Sequence, residues 1–127
     1  MELAGKIEKW VKIVNAEYGL SDRNDESIDY FMKIKDLANF DVDNISYLVT
    51  LVSKDMWGNK MLSVLSYYIL PEHRSYKNFK KIQNRIEELA KINNVKYIYQ
   101  GSHLNSKLNN VLENMGYSVG FYKKEII

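Results

Sequence analysis

The feature that most constrains the fold is a pair of strand-like runs joined by a glycine turn. Residues 45–52 are rich in β-branched and aromatic side chains, which is typical of strands. A second such run covers residues 61–70, and Gly58-Asn59 between the runs is a turn signal. The pattern predicts an antiparallel hairpin, ended by Pro71 because proline cannot donate to a strand ladder.

The segment that follows the hairpin turns helical and then strand-like again. Apolar residues between Phe79 and Ala90 recur at spacings of three and four, as on one face of a helix. Residues 95–99 then favour a short strand. Because a strand–helix–strand connection joins parallel strands, the hairpin and this crossover together predict a mixed sheet with helices on its faces.

Two helices are predicted ahead of the hairpin. Apolar residues recur at helical spacing over residues 3–14, and Gly19 follows as a stop. Either Asp25 or Ser27 can cap the second helix. The apolar positions of this second helix are Ile28, Phe31, Ile34, Leu37 and Ala38.

A helix and a strand are predicted to close the chain. Residues 104–115 carry a helical stripe that stops at Gly116, and residues 119–122 favour a last strand. The predicted element order is therefore α-α-β-β-α-β-α-β, an α/β chain with a mixed, α+β sheet. No proline-rich or glycine-rich linker divides the sequence, so residues 1–127 are predicted to form a single domain.

Composition excludes several kinds of site and partner. The chain has no cysteine, which excludes disulfides, Cys-ligated zinc and a thiol nucleophile. Its two histidines, His73 and His103, are too few for a multi-histidine metal site, and no metal is expected. A net charge of +2 does not indicate a nucleic-acid binder. No apolar run approaches the ~20 residues of a membrane span, and no signal peptide is visible, so we expect a cytoplasmic protein with no membrane partner.

The loop after the predicted hairpin carries the first functional signal. It joins a strand end to a helix start, where free amides and the helix dipole favour an anion. Arg74 and Lys77 place positive charge beside it, which favours a phosphate or pyrophosphate site. An ordinary strand-to-helix turn with solvated cations explains the same residues.

The segment after the predicted strand at residues 95–99 carries the second signal. Gly101 directly follows that strand, where a bulge or a splay between strands is expected. A ligand would enter at this splay. Asn105 then stands at the start of the last predicted helix, where it can serve as a cap, a ligand contact or both.

These stretches, in this order and spacing, resemble the GCN5-related N-acetyltransferase (GNAT) family over roughly residues 45–124. The first family motif, V-x-P-E-x-R, matches at Leu70, Pro71, Glu72 and Arg74. The family's late motif, N-x-x-A-x-x-L-Y-E-K-x-G-F, matches at Asn105, Val111, Glu113, Gly116 and Tyr117. The resemblance implies a small, divergent member with the GNAT acyl-CoA N-acyltransferase fold.

The resemblance also implies an activity and a set of binding residues. The activity would be acetyl transfer from acetyl-CoA to a primary amine of a small molecule or protein. Main-chain groups of the strand end would pair with the pantetheine arm, and the amides of residues 74–79 would hold the pyrophosphate. The implied cofactor-binding residues are Ile69, Leu70, Arg74, Ser75, Tyr76, Lys77, Asn78, Phe79 and Asn105.

Three departures from the family pattern bear on catalysis. Lys77 and Phe79 replace small residues of the phosphate loop, and their side chains narrow the approach to the backbone. Leu112 stands where the family commonly has a tyrosine that protonates the coenzyme A sulfur, and leucine has no proton to donate. The weak candidates for a catalytic base are Glu72, His73 and His103.

These departures leave a second reading open. The chain could be a catalytically weak or inactive GNAT-like protein that binds another protein, such as a phage-encoded accessory or inhibitor protein. The amine acceptor, or the protein partner, is not identified by the sequence. The predicted last strand, residues 119–122, could be a sheet edge that pairs with a second copy in a homodimer.

Overall fold

The frame of the molecule is a mixed sheet. The computed structural model describes residues 2–100 and 122–126, and five strands lie in these ranges. Neighbouring strands in the sheet follow the chain order. The strands are β1 (Asn39–Val42), β2 (Ser46–Lys54), β3 (Lys60–Ile69), β4 (Tyr97–Gln100) and β5 (Tyr122–Glu125).

The strand directions confirm the predicted hairpin and crossover. β1, β2 and β3 pair antiparallel in succession, β3 and β4 pair parallel, and β4 and β5 pair antiparallel. The helix α3 (Tyr76–Ile92) forms the crossover between the parallel strands. The turn between β2 and β3 contains Gly58 at φ +82, a conformation that glycine adopts at little cost.

The two leading helices are α1 (Leu3–Glu17) and α2 (Asn24–Ile34). Gly19 follows α1 with φ +69, which confirms the predicted stop. The predicted cap of α2 was wrong, because a 3-10 turn, Ser21–Arg23, leads directly into the helix. The Ser27 hydroxyl instead accepts a hydrogen bond from Asn15, which joins α2 to α1.

The predicted end of α2 was also wrong, since β1 was not foreseen. The helix ends at Ile34, whose carbonyl accepts the amides of both Leu37 and Ala38 in a turn. The Leu37 side chain is 75% exposed. The next four residues, Asn39–Val42, extend to pair with β2. Strand pairing is a tertiary contact, and it overrides a helical pattern that is only local.

The helices cover opposite faces of the sheet, as the strand alternation requires. On one face, buried Trp10 of α1 packs with Tyr47 and Tyr68. On the other face, Ile86 of α3 belongs to a core that includes Leu48, the next residue along β2 from Tyr47. The α1 face is thus rich in aromatic side chains, whereas the α3 face is mostly aliphatic.

The described part of the last strand extends past the predicted end at residue 122. It covers Tyr122–Glu125 and pairs only with β4, so it is an edge of the sheet among the described residues. The expected pairing of this edge with a second copy stays a prediction. The predicted helix at residues 104–115 and the predicted strand residues 119–121 lie outside the described residues. In the described part of the chain, no helix is long and apolar enough to cross a membrane.

A bulge in β3 positions the candidate site. Val49 pairs with Ser66 and Thr50 with Val64, so Leu65 is one extra residue on β3. The described pairing of β3 with β4 runs to Val64 and Gln100, and Gln100 is the last residue described before residue 122. From Leu65 to its end, β3 therefore has no strand neighbour on its β4 side among residues 2–100 and 122–126.

Candidate functional site

The first part of the candidate site is the outer edge of β3 after the bulge. Successive residues of a strand direct their backbone groups to opposite edges. The Leu70 amide donates to the Ile45 carbonyl on the β2 side at 2.9 Å, so the backbone groups of Ile69, and of Tyr67 two residues earlier, point to the β4 side. Among the described residues, the main-chain groups that face this unpaired edge are therefore those of Tyr67 and Ile69, and the Ile69 carbonyl already accepts one hydrogen bond, from Arg74 Nε. The sequence predicted Leu70 as a cofactor-binding residue, but the Leu70 amide is engaged by Ile45 on the β2 side. Tyr67, which the sequence did not single out, faces the β4 side instead.

The second part is the N-terminus of α3. Ser75 caps the helix, because its hydroxyl accepts the Asn78 amide at 3.2 Å. Within the described chain, the amides of Ser75, Tyr76 and Lys77 have no hydrogen-bond acceptor, as expected for the first turn of a helix. The side chains of Tyr76 and Lys77 are exposed. Within the part of the chain that the structure describes, three amides and one ammonium group are therefore available to an anion here.

The other amides expected in this set are engaged within the loop. The Arg74 amide donates to the Pro71 carbonyl at 3.3 Å, and the Phe79 amide donates to the Ser75 carbonyl at 3.0 Å. The Asn78 side chain donates to the His73 carbonyl at 2.6 Å. The loop is thus fixed by its own hydrogen bonds, and only half of the expected amides remain open.

Arg74 does not direct its side chain toward the open amides. Its Nε donates to the Ile69 carbonyl at 2.9 Å, and its Nη2 donates to Glu17 Oε2 at 2.8 Å. The guanidinium also lies over the Tyr68 ring, 5.1 Å from its centroid. We call this set of contacts the Arg74 bridge. It joins the end of α1 to the end of β3, so the expected phosphate contact of the Arg74 side chain is replaced by a structural one.

The charges of the Arg74 bridge stabilise one another. The hydrogen bond that Arg74 donates to Glu17 raises the pKa of the Arg74 guanidinium, against a smaller lowering by burial. Burial raises the pKa of the Tyr68 hydroxyl, and the Glu17 carboxylate raises it further, while Arg74 opposes both effects. Arg74 is therefore a cation and Tyr68 a neutral hydroxyl near pH 7.

Tyr67 and Phe79 connect the two parts of the site on the α3 face. Their ring centroids are 6.3 Å apart, so the Phe79 side chain packs against the sheet and leaves the phosphate loop uncrowded. The Tyr67 hydroxyl is buried without a hydrogen-bond partner among the described residues. Burial raises the pKa of Tyr67 to about 12, so it is a neutral donor at physiological pH.

The α1 face of the bulge carries a pair of hydroxyl groups that sequence reasoning missed. The Tyr47 and Ser66 hydroxyls lie 2.7 Å apart. Burial raises the pKa of Tyr47, although the bond to Ser66 lowers it. The Tyr47 ring also stacks on Tyr68, with centroids 6.2 Å apart. No local motif marks this pair, because its members are 19 residues apart in sequence.

The remaining predicted site residues fall into two groups. Glu72 and His73 lie on an exposed 3-10 turn, Pro71–His73, beside the start of α3. His103, Asn105 and Leu112 lie outside the described residues. In the part of the chain that the structure describes, no group of three or more acidic or histidine side chains is arranged to hold a metal ion.

Comparisons with known proteins identify the fold. No family model matches the chain, and no curated protein sequence matches it. Solved structures do match over nearly all of the chain. A GCN5-related N-acetyltransferase from Ralstonia eutropha superposes with a TM-score of 0.71 at 13% identity, covering 98% of this chain and 92% of that chain.

Two further structures were solved with ligands. A predicted acetyltransferase from Clostridium acetobutylicum with acetyl-CoA has a TM-score of 0.71 at 15% identity, covering 94% of this chain and 88% of that chain. The PaiA N-acetyltransferase from Thermoplasma acidophilum in complex with coenzyme A has a TM-score of 0.62 at 13% identity, covering 98% and 91%. The chain has the GNAT fold, which confirms the predicted fold class.

Proposed function

We propose that the chain is a divergent GNAT-family enzyme that transfers an acetyl group from acetyl-CoA to a primary amine. One observation carries the proposal. Among residues 2–100 and 122–126, the edge of β3 at Tyr67 and Ile69 has no strand neighbour. It leads toward the amides of Ser75, Tyr76 and Lys77 at the start of α3, which have no acceptor within the same ranges. Acetyl-CoA has an extended pantetheine arm with amide groups and a pyrophosphate beyond it. The arm can pair with a free strand edge, and the pyrophosphate can bind at a helix N-terminus.

The residues present fit acetyl-CoA. In the proposal, the main chain of Tyr67 and Ile69 pairs with the pantetheine amides, and the three open amides with the Lys77 ammonium bind the pyrophosphate. The departure at Phe79 does not prevent this, because its ring packs against Tyr67 and away from the loop surface. Asn105 would add a contact from the following segment.

The acyl donor supplies an activated thioester, and the protein has to bind and orient the two reactants. The new bond joins the amine nitrogen to the acetyl carbon, the carbon–sulfur bond breaks, and the proton lost by the amine balances the one gained by the thiolate. Tyr47 and Ser66 offer neutral hydroxyl groups beside the bulge for orienting the amine. The acetyl donor and the acceptor would thus approach from the two sides of β3.

Calorimetric titration of acetyl-CoA into the protein tests the cofactor site. We expect binding in the low-micromolar range. The Lys77→Glu variant should bind roughly tenfold more weakly, because it reverses a charge beside the pyrophosphate. Lys91→Glu is the matched control, since it makes the same charge change at an exposed position near the far end of α3.

Activity is then measured as release of free coenzyme A in the presence of a panel of amines. Binding with turnover supports the enzyme. The absence of both heat and thermal stabilisation at millimolar acetyl-CoA would contradict it. That outcome would favour the alternative, a catalytically inactive GNAT-fold protein that acts by binding another protein.

A further inference from the structure

The turn between β2 and β3 exposes two large apolar side chains next to each other. Met56 is 84% exposed and Trp57 is 79% exposed. The strand ladder ends at the pair Lys54 and Lys60, so the five residues between them extend beyond the sheet. We call residues 54–60 the hairpin tip. Most large apolar side chains of a folded chain are at least partly covered, so two adjacent exposed ones are informative.

The hairpin tip is held in one shape by its own hydrogen bonds. The Asp55 carboxylate accepts the amides of Trp57 and Asn59, both at 2.9 Å. The Asp55 amide donates to the Asn59 carbonyl, and the Gly58 amide donates to the Asp55 carbonyl. Met56 and Trp57 are therefore presented by a preformed turn, which lowers the entropy cost of binding.

Lysines form a layer directly behind the two apolar side chains. Lys54 and Lys60 are a cross-strand pair, and like charges directly opposite each other destabilise a sheet. Lys96 is close as well, because its amide donates to the Lys60 carbonyl and its charge lowers the pKa of Asp55. All three lysine side chains are exposed. The Lys60 ammonium also donates to the Asn93 carbonyl at 3.1 Å, at the end of α3. The three lysines together still leave a surplus of positive charge over the single carboxylate of Asp55 at the tip.

We propose that the hairpin tip is a peripheral binding site for an anionic phospholipid surface. The apolar side chains lie at the end of the tip and the lysines lie behind them, which matches the apolar and phosphate layers of a phospholipid surface. The indole and thioether would enter the boundary between headgroups and acyl chains, and the lysines one layer back would meet the lipid phosphates. The sequence alone predicted no membrane partner, since the exposure of a tryptophan cannot be read from it.

The shape of the site favours a bilayer over other anionic partners. The tip is convex, and a bilayer adapts to a convex group, whereas a protein partner needs a matching pocket with an acidic rim. The rest of β3 runs for about 30 Å away from the tip, at ~3.3 Å per residue. A surface bound at the tip would therefore leave the proposed acetyl-CoA site, at the other end of the strand, open to solvent.

Tryptophan fluorescence of the full chain tests the proposal. The chain has two tryptophans, and Trp10 is buried while Trp57 is exposed, so a blue shift and a loss of acrylamide quenching report on Trp57. The probes are vesicles of equimolar phosphatidylcholine and phosphatidylglycerol, with pure phosphatidylcholine vesicles as the neutral reference. We expect the blue shift and co-sedimentation with the anionic vesicles only.

Variants separate insertion from simple charge attraction. Trp57→Ala should weaken vesicle binding roughly tenfold, whereas Leu37→Ala, which removes another exposed apolar side chain, should not change it. Lys54→Gln should weaken binding roughly fivefold, and Lys9→Gln on α1 is the matched control. These surface substitutions leave the core intact, so thermal unfolding should be nearly unchanged.

Three outcomes would overturn the proposal. One is the absence of co-sedimentation with the anionic vesicles at moderate ionic strength. The second is binding that Trp57→Ala does not weaken, which would reduce the interaction to charge alone. The third is protection of Trp57 from acrylamide by a single-stranded oligonucleotide but not by vesicles, which would assign the tip to nucleic acid. None of these results depends on acetyl-CoA binding.

Discussion

The hairpin tip and the loop after β3 lie at opposite ends of the same strand, and different kinds of contact hold them. In the hairpin tip, the hydrogen bonds of Asp55 among the described residues reach positions no more than four away. In the loop after β3, Arg74 reaches Glu17, which is 57 positions away. The turn at residues 55–59 is held by local contacts, with Lys60 at its base bonded to Asn93 and Lys96, whereas the loop after β3 depends on the docking of α1.

This difference shows why only one of the two regions could be read from the sequence. A turn built from Asp, Gly and Asn has its structure encoded within a few residues. The direction of the Arg74 side chain depends on a carboxylate that folding brings from another element. The motif placed Arg74 correctly in the loop, but the tertiary structure decided what the side chain contacts.

The largest expected effect comes from removing the Arg74 bridge. Arg74→Ala deletes the hydrogen bonds to Ile69 and Glu17 and the contact with Tyr68, and it leaves the Ile69 carbonyl without its donor. We expect the free energy of unfolding to fall by about 2 kcal/mol, measured by urea denaturation. Acetyl-CoA should also bind more weakly, because the Ile69 carbonyl lies on the edge proposed to hold it.

A double-mutant cycle distinguishes the bridge from a phosphate contact. If Arg74 acts through Glu17, Glu17→Gln and Arg74→Gln should be coupled by about 0.5–1 kcal/mol, the range for a largely exposed ion pair. Both single variants should then weaken acetyl-CoA binding. If Arg74 instead contacts phosphate, Glu17→Gln should release the Arg74 guanidinium and strengthen acetyl-CoA binding. That result would show that the loop after β3 does not depend on the contact with α1.

A smaller and purely local effect is expected at the hairpin tip. Gly58→Val places a β-branched side chain at φ +82, which costs about 1–2 kcal/mol in the left-handed region. Among the described residues, apart from Gly58 and its two neighbours, no atom lies within 4 Å of the added Cβ position, so the expected cost is backbone strain. Urea denaturation should show this loss while calorimetry shows unchanged acetyl-CoA binding. A changed affinity would mean that the two ends of β3 are not independent.

The smallest effect is a pH dependence of the hairpin tip. Burial by itself would raise the pKa of Asp55, but hydrogen bonds from Asn59 and Trp57 together with the charge of Lys96 lower it overall. A lowered folded-state pKa stabilises the protein above the unfolded pKa of about 4, and this stability is lost as the pH falls through the folded value. Asp55→Asn should flatten the acid limb of a stability–pH profile. An unchanged profile would show that the carboxylate charge contributes nothing to the turn.

The fold could be predicted further than the site. The hairpin and the parallel strand follow from runs of β-branched and aromatic residues, and the crossover helix follows from apolar residues at spacings of three and four. β1 could not be predicted, because its four residues become a strand only through pairing with β2. In the loop, the start of α3 and its unbonded amides follow from local chemistry. The hydrogen bond of the Leu70 amide to Ile45 and the position of Tyr67 on the β4 side depend on strand register, which is a tertiary feature.

The sequence by itself determined the two leading helices, the hairpin with its glycine turn, the crossover helix with the parallel strand after it, and the resemblance to the GNAT family. These features rest on interactions between residues a few positions apart. Only the tertiary structure decided the bulge at Leu65, the Arg74 bridge, the pairing of the Tyr47 and Ser66 hydroxyls, and the exposure of Trp57. Each of these is set by packing between distant segments, which no local pattern encodes.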